Sequence, residues 1–282
     1  METWVIFTFL YAIFTGLFQC AKKKAVEKNS IYEVLAYFSL IAFLFVAITS
    51  ENVFNIELKY LLIVLLKATV IVISWLLSLY VISKMSISLY SVINLSRIIF
   101  SIILSWIILG EKITATTIIG MIIVIEGLIL VNKNSNKKED KEASWKMIVI
   151  LLISCLFNSI SAIIDKYATT YITSGQLQFW FLFFLTVIYW IILLIKTKKT
   201  NFKNIKKNYW ILVAAICLTV GDRFLFIANS IPESKVSVMT ILKQISTIET
   251  IILGKIIFKE KNITKKLLCA VLIIFGIVIT LI

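Results

Sequence analysis

Apolar residues in this chain come in long unbroken blocks separated by short polar gaps. The blocks cover residues 3–21, 31–49, 60–82, 88–108, 115–131, 146–164, 175–195, 209–229, 235–257 and 263–281. Most are roughly 17–22 residues long, and about 20 apolar residues span the hydrocarbon core of a bilayer. The pattern predicts an all-α integral membrane protein with ten transmembrane helices. The polar gaps are at most about a dozen residues, too short to hold a soluble domain. The opening stretch METWVIFTFLYAIFTGLFQC lacks a basic n-region and a small-residue cleavage site, and Lys22, Lys23 and Lys24 follow it instead. It therefore reads as an uncleaved first span with a flanking basic cluster.

The blocks repeat. Residues Ile107–Leu130 (IILGEKITATTIIGMIIVIEGLIL) answer Ile256–Ile279 (IIFKEKNITKKLLCAVLIIFGIVI) at a constant offset of 149, which sets Glu111 on Glu260, Lys112 on Lys261 and Gly127 on Gly276. An internal repeat of this kind organises the whole fold. It divides the chain into a first five-helix repeat over 1–131, a polar hinge over 132–145 and a second repeat over 146–282. Five is odd, so the second copy enters the membrane with opposite orientation. Inverted repeats of this sort mark secondary transporters whose substrate site lies near the midplane.

Composition sharpens the picture. The chain is 60% apolar and 16% charged, with a mean hydropathy of +1.00 and a single proline in 282 residues, whereas a soluble domain is about a quarter charged. Scarce Arg, Gly and Pro beside abundant Ile, Lys and Asn read as AT-rich coding in a bacterium. The net charge of +14 is carried by lysines in short loops, where they set topology and meet anionic lipid headgroups rather than nucleic acid. Loops after spans 1, 3, 5, 7 and 9 hold roughly twenty lysines against about four on the other side. That asymmetry places those loops in the cytoplasm of a cell-membrane protein and both termini outside. Histidine is absent, which removes His-ligated metal and imidazole general bases. The four cysteines, Cys20, Cys155, Cys217 and Cys269, are far apart and read as small packing residues. No metal or cofactor is expected.

The two halves together resemble the EamA-domain family of the drug/metabolite transporter superfamily. The first copy, LGEKITATTIIGMIIVIEG (Leu109–Gly127), matches the family's turn and last helix well. The second, FKEKNITKKLLCAVLIIFG (Phe258–Gly276), has Phe-Lys before the glutamate and Cys269 in place of Gly120. IDKYATTYITSGQLQFWF (Ile164–Phe181) and IPESKVSVMTILKQIS (Ile231–Ser246) look like the family's second domain. The resemblance implies helices 1–4 and 6–9 around a central cavity, with 5 and 10 peripheral. It implies no particular substrate.

Charges inside spans are costly and usually face the bundle interior. Seven are expected there: Lys67, Arg97, Glu126, Asp222, Arg223, Lys243 and Glu249. Arg97 and Arg223 are the chain's only arginines among 29 basic residues. Arg97 lies about 15 Å from either end of its span. It can grip a carboxylate or phosphate with a bidentate fork, or it can pair with Glu249 or Asp222. Lys243 occupies the repeat-related span and aligns with Asn94, one turn before Arg97. Asp222 and Arg223 are consecutive, so they point about 100° apart, one to the cavity and one to another helix. The candidate substrate-binding residues are Arg97, Lys243, Arg223, Asn94 and Trp75. Glu249 and Asp222 are the candidate proton carriers, since burial and nearby cations pull a carboxyl in opposite directions. Glu126 reads as a helix or oligomer contact, Lys67 as a snorkelling or cavity lysine, and Asp165–Lys166 as an interfacial pair. Glu111 and Glu260 read as helix-cap or loop contacts.

No G-x-x-x-x-G-K-[ST] loop is present, so ATP chemistry is not expected. The expected function is alternating-access secondary transport of a small anionic or zwitterionic metabolite, such as an amino acid or related carboxylate, either coupled to a proton or by facilitated diffusion. The expected partners are that small molecule and lipid, with the chain a monomer or weak homodimer. Other readings are an exporter of drugs or differently charged metabolites, a non-transporting accessory or sensor protein, and an intramembrane enzyme acting on lipid-linked substrates.

Overall fold

The computed structural model describes residues 3–109, 113–133, 145–197, 208–231, 239 and 242–280. Glu111 and Lys112, hinge residues 134–144, loop residues 198–207 and positions 232–238 lie outside the described residues. The helices are α1 (Thr3–Val26), α2 (Ile31–Thr49), α3 (Leu58–Ile82), α4 (Ile87–Asn94), α5 (Arg97–Leu109), α6 (Ala115–Lys133), α7 (Trp145–Ala168), α8 (Ser174–Lys196), α9 (Tyr209–Ser230), α10 (Ile245–Phe258) and α11 (Ile263–Thr280). No strand occurs among the described residues.

Among the described residues, eight stretches are long and apolar enough to cross a membrane, counting α4 and α5 together as Ile87–Ile108. The fifth predicted run is a shorter apolar helix, Ala115–Leu130 within α6. The ninth is described from residue 242 onward. Local signals fix several helix starts. Ser30 accepts the Glu33 N–H while Glu33 reaches back to the Ser30 N–H, and Thr173 and Gln176 form the same capping box before α8. The first helix runs past the predicted boundary at residue 21, so Lys22, Lys23 and Lys24 are helical and can face the bundle.

The fourth predicted span is broken in its middle. The Leu95 N–H bonds to Val92 O at 3.1 Å, Ser96 N–H to Ile93 O at 3.0 Å and Ile98 N–H to Leu95 O at 3.1 Å. These tight i→i+3 bonds replace the α ladder. The Cys155 thiol of α7 donates to the Asn94 carbonyl at 3.8 Å and Ser159 donates its hydroxyl to the Arg97 carbonyl at 2.8 Å, partners that let an irregular turn persist in an apolar setting. Gln244, 149 residues after Leu95, is also a turn between helical Lys243 and α10, and Thr247 N–H bonds to Gln244 O at 2.9 Å. Both halves thus break the equivalent helix at the equivalent residue.

Packing follows the same repeat. The first helix runs along α9 and α3 along α7; α1 meets α10 where α5 meets α7; α2 touches α9 where α3 touches α8. Exchanging the halves converts each pair into its mate, and α2–α8 and α6–α11 map onto themselves. The α6–α11 crossing is close because Gly120 and Gly276 face each other's backbone: a Cβ on Gly276 would sit 3.0 Å from the Gly120 carbonyl. Outer faces expose Leu62, Leu66, Ile119, Ile122, Leu194, Val271 and Phe275, the apolar surface that a bilayer covers. The protein is a multi-pass membrane protein.

Candidate functional site: a polar cavity between the halves

Tyr11, Thr15, Phe18, Gln19 and Lys22 recur at helical spacing, so one face of α1 carries all five. That face is one wall of a cavity of ≈120 Å³. The other walls come from Trp75 and Ser78 of α3, Tyr90 and Asn94 of α4, Arg97 of α5, Asn158 of α7, and Cys217, Leu218, Gly221 and Asp222 of α9. A smaller void of ≈20 Å³ shares Thr15, Gln19, Tyr90, Asn94 and Arg97 and continues to Gln244, Ser246, Thr247 and Thr250. It has room for about one water molecule. Both helix breaks therefore open onto the same polar space.

Arg97 is the first residue of α5, where the helix end adds a positive field. Its guanidinium makes no hydrogen bond or ion pair with any described residue. Asp222 of α9, which lines the same cavity, likewise has no ion pair among the described residues. Lys22 is only 2% exposed. Its ammonium lies 4.4 Å from the Phe18 ring centroid and 5.8 Å from that of Trp75, with no hydrogen-bond acceptor among the described residues. Cation–π contact is worth about 0.5–2 kcal/mol. Removing an ammonium from water costs several kcal/mol even after relaxation. The aromatic seat offsets only part of that cost.

Other polar groups are already committed. Tyr90 and Ser78 hydroxyls are 2.6 Å apart. Asn158 donates its amide to Ser74 Oγ and, at 3.2 Å, to Ser154 O. Asn94 Oδ1 is 3.5 Å from the Cys155 thiol that donates to it. Gln19 Oε1 is a buried acceptor without a described donor.

The structure brings four predicted site residues together: Arg97, Asn94, Trp75 and Asp222 all line the cavity. Trp75 also belongs to an aromatic cluster with Phe18, Phe38 and Phe181. Lys243 stands just beyond, with its ammonium 5.7 Å from the ring centroid of Tyr11. Two candidates lie elsewhere. Arg223 donates to Thr49 O at 3.3 Å and Thr49 Oγ1 at 3.2 Å, at the end of α2. The Glu249 carboxylate packs over Gly16 of α1, where a Cβ would collide with it, and its Oε2 is buried without a described donor. Lys67 pairs with Asp165 and covers Phe181 at 4.4 Å, while Glu126 is exposed on α6. Sequence reasoning missed Lys22, which it assigned to the flanking basic cluster. The polar series Thr15, Gln19, Lys22 at helical spacing was the available signal.

One end of the bundle is closed by Glu260. Lys259 adopts a left-handed conformation at φ 54° that ends α10 and turns the chain back. The Glu260 carboxylate then accepts the N–H of Ile87 at 2.6 Å, the N–H of Ser88 at 3.1 Å and the Ser88 hydroxyl. These donors form the N-terminus of α4, and a carboxylate there also meets a favourable helix field. Lys23 of α1 pairs with it at 3.3 Å. Lys266, 1% exposed, lies 3.9 Å away and donates to Ser86 and Ser88 hydroxyls at 2.9 Å. Burial pushes the Glu260 carboxyl up, but Lys23, Ser88, Lys266 and the Ile87 N–H outweigh it and hold it below its ordinary value.

Two repeated halves of apolar helices around a small polar cavity, with irregular backbone confined to that cavity, define a membrane transporter. The model of the EamA-like transporter family matches residues 2–133 and 145–282, and the chain belongs to that family. One solved structure, described as a crystal structure of a protein, is similar with a TM-score of 0.67 and 10% identity, covering 99% of this chain and 97% of that one. That likeness is one of fold. A comparison with curated proteins finds no significant match.

Proposed function

We propose that this chain is a secondary transporter of a small anionic or zwitterionic metabolite, an amino acid or related carboxylate, working by alternating access. Its ten helices form two inverted repeats, 1–131 and 146–282, joined by a cytoplasmic hinge at 132–145. The lysine-rich loops face the cytoplasm across the cell membrane, both termini lie outside, and the chain works as a monomer or weak homodimer. One observation carries the substrate class. Arg97 of α5 and Asp222 of α9 line one cavity, and neither has an ion-pair partner among the described residues. A zwitterion supplies the missing charge to each. A volume of ≈120 Å³ lies well below the roughly 300–1,000 Å³ of sites for drug-sized ligands, which supports a small metabolite over a drug. Asp222 is the group placed to carry a coupling proton, since it faces the substrate space while Glu249 does not.

Thermal stabilisation of the purified protein across a panel of amino acids, carboxylates and lipophilic cations tests this reading, because ligands that bind only the folded state raise its stability. Stabilisation by amino acids or carboxylates is expected. Stabilisation by lipophilic cations alone overturns the substrate class.

A further inference from the structure

Resting on that reading, we infer that Lys22 is a second anion-binding residue of the cavity, and that the preferred substrate is a zwitterion bearing an extra acidic group, the chemistry of an acidic amino acid. Three features of the cavity carry this. Lys22 is 2% exposed, lines the same cavity as Arg97 and Asp222, and has no acceptor among the described residues. Its ammonium is held over Phe18 and Trp75, both of which also line the cavity, so the charge stays in the site rather than reaching the membrane edge.

The third observation is separation along α1. A rise of about 1.5 Å per residue places Tyr11 and Lys22 ~16 Å apart along the axis. Folding back over Phe18 recovers four residues, leaving the ammonium on the order of 10 Å from the level of Tyr11. A Cβ on Gly221, next to Asp222, would lie 3.2 Å from Phe14 and 3.8 Å from Tyr11, so Asp222 sits between those two levels of α1. Lys22 and Asp222 thus reach the cavity from different levels of α1, and Arg97 lines the same space. An ammonium and its neighbouring carboxylate belong with Asp222 and Arg97, and a second carboxylate on a short aliphatic arm belongs with Lys22. The cavity's lining charges are two positive, Lys22 and Arg97, against one negative, Asp222, complementary to a ligand of net charge −1. Lys243, over Tyr11, adds to the same positive field.

The test compares L-glutamate with L-glutamine, which share size and differ in the distal charge, by ligand-induced thermal stabilisation of the full-length protein. Inorganic phosphate serves as a third probe. The wild type is expected to bind glutamate about ten- to a hundredfold more tightly than glutamine, the range for one charge-assisted hydrogen bond. Lys22→Gln should erase that preference, and Lys22→Arg should retain it. Equal binding of both amino acids by the wild type overturns the Lys22 inference and leaves the amino-acid reading standing. Preference retained in Lys22→Gln, or phosphate binding as tightly as glutamate in a Lys22-dependent way, also overturns it. If neither amino acid nor any carboxylate stabilises the protein, the substrate class itself falls. Should Lys22→Gln not fold, the wild-type preference and its retention in Lys22→Arg decide the question.

Discussion

Lys23 and Glu260, 237 residues apart in sequence, meet at 3.3 Å and tie α1 to the turn that precedes α11. The same carboxylate caps α4, so one side chain latches elements of both halves together. Glu260→Gln should destabilise the protein by about 3 kcal/mol, because it strands Lys266 and Lys23 in a largely buried site. Thermal unfolding in detergent reads this loss, and an unchanged midpoint removes the latch.

The pH dependence of that latch has a definite sign. Glu260 is held below its ordinary value in the folded protein. Its contribution is therefore full above the unfolded value of about 4.3 and is lost as pH falls through the lower folded value. Acid lability below about pH 4 should be smaller in Glu260→Gln than in the wild type. Equal acid sensitivity of the two proteins assigns that lability to other carboxylates.

Arg97→Lys should fold and insert yet lose most substrate affinity. Lysine keeps the charge but not the planar fork, and losing one charge-assisted hydrogen bond of about 1.5–3 kcal/mol lowers affinity roughly ten- to a hundredfold. Binding at wild-type strength in a well-folded variant places Arg97 outside the site.

Two carboxylates compete for the coupling role. In proteoliposomes, Asp222→Asn should lose uphill transport driven by a pH gradient and keep substrate-for-substrate exchange only at raised substrate concentration, since the same carboxylate faces the substrate ammonium. Glu249→Gln should keep both, because its carboxylate packs over Gly16 rather than into the cavity. The reverse result would move proton coupling to the α1–α10 contact.

Topology is checked without knowing the substrate. The lysine asymmetry puts both termini outside, so a reporter active only in the cytoplasm should be silent when fused after Ile282. Strong activity of that fusion inverts the whole orientation.

Much of the fold was legible in the pattern because bilayer thickness fixes the length of an apolar run, and those runs are local. The repeat was legible too, since an offset of 149 is read directly from Ile107–Leu130 against Ile256–Ile279. Arg97 was identifiable as a deep cation for the same reason. Partner choice was not local, and there only the tertiary structure decided. Nothing in the sequence next to Glu260 points to Ile87 and Ser88, which supply its donors from the other half. Asp222 and Arg223 are neighbours in sequence, but a turn of about 100° per residue sends one to the cavity and the other to Thr49. From sequence Glu249 comes ahead of Asp222 as a proton carrier, and only the tertiary structure shows its carboxylate packed over Gly16. Lys22 looked like a flanking charge because the apolar run ends before it. The helix continues to Val26 because its hydrogen bonds do not depend on side-chain polarity, and that continuation turns Lys22 into the cavity. Sequence determines which segments cross the membrane; the packing of the two halves determines which charges share one space.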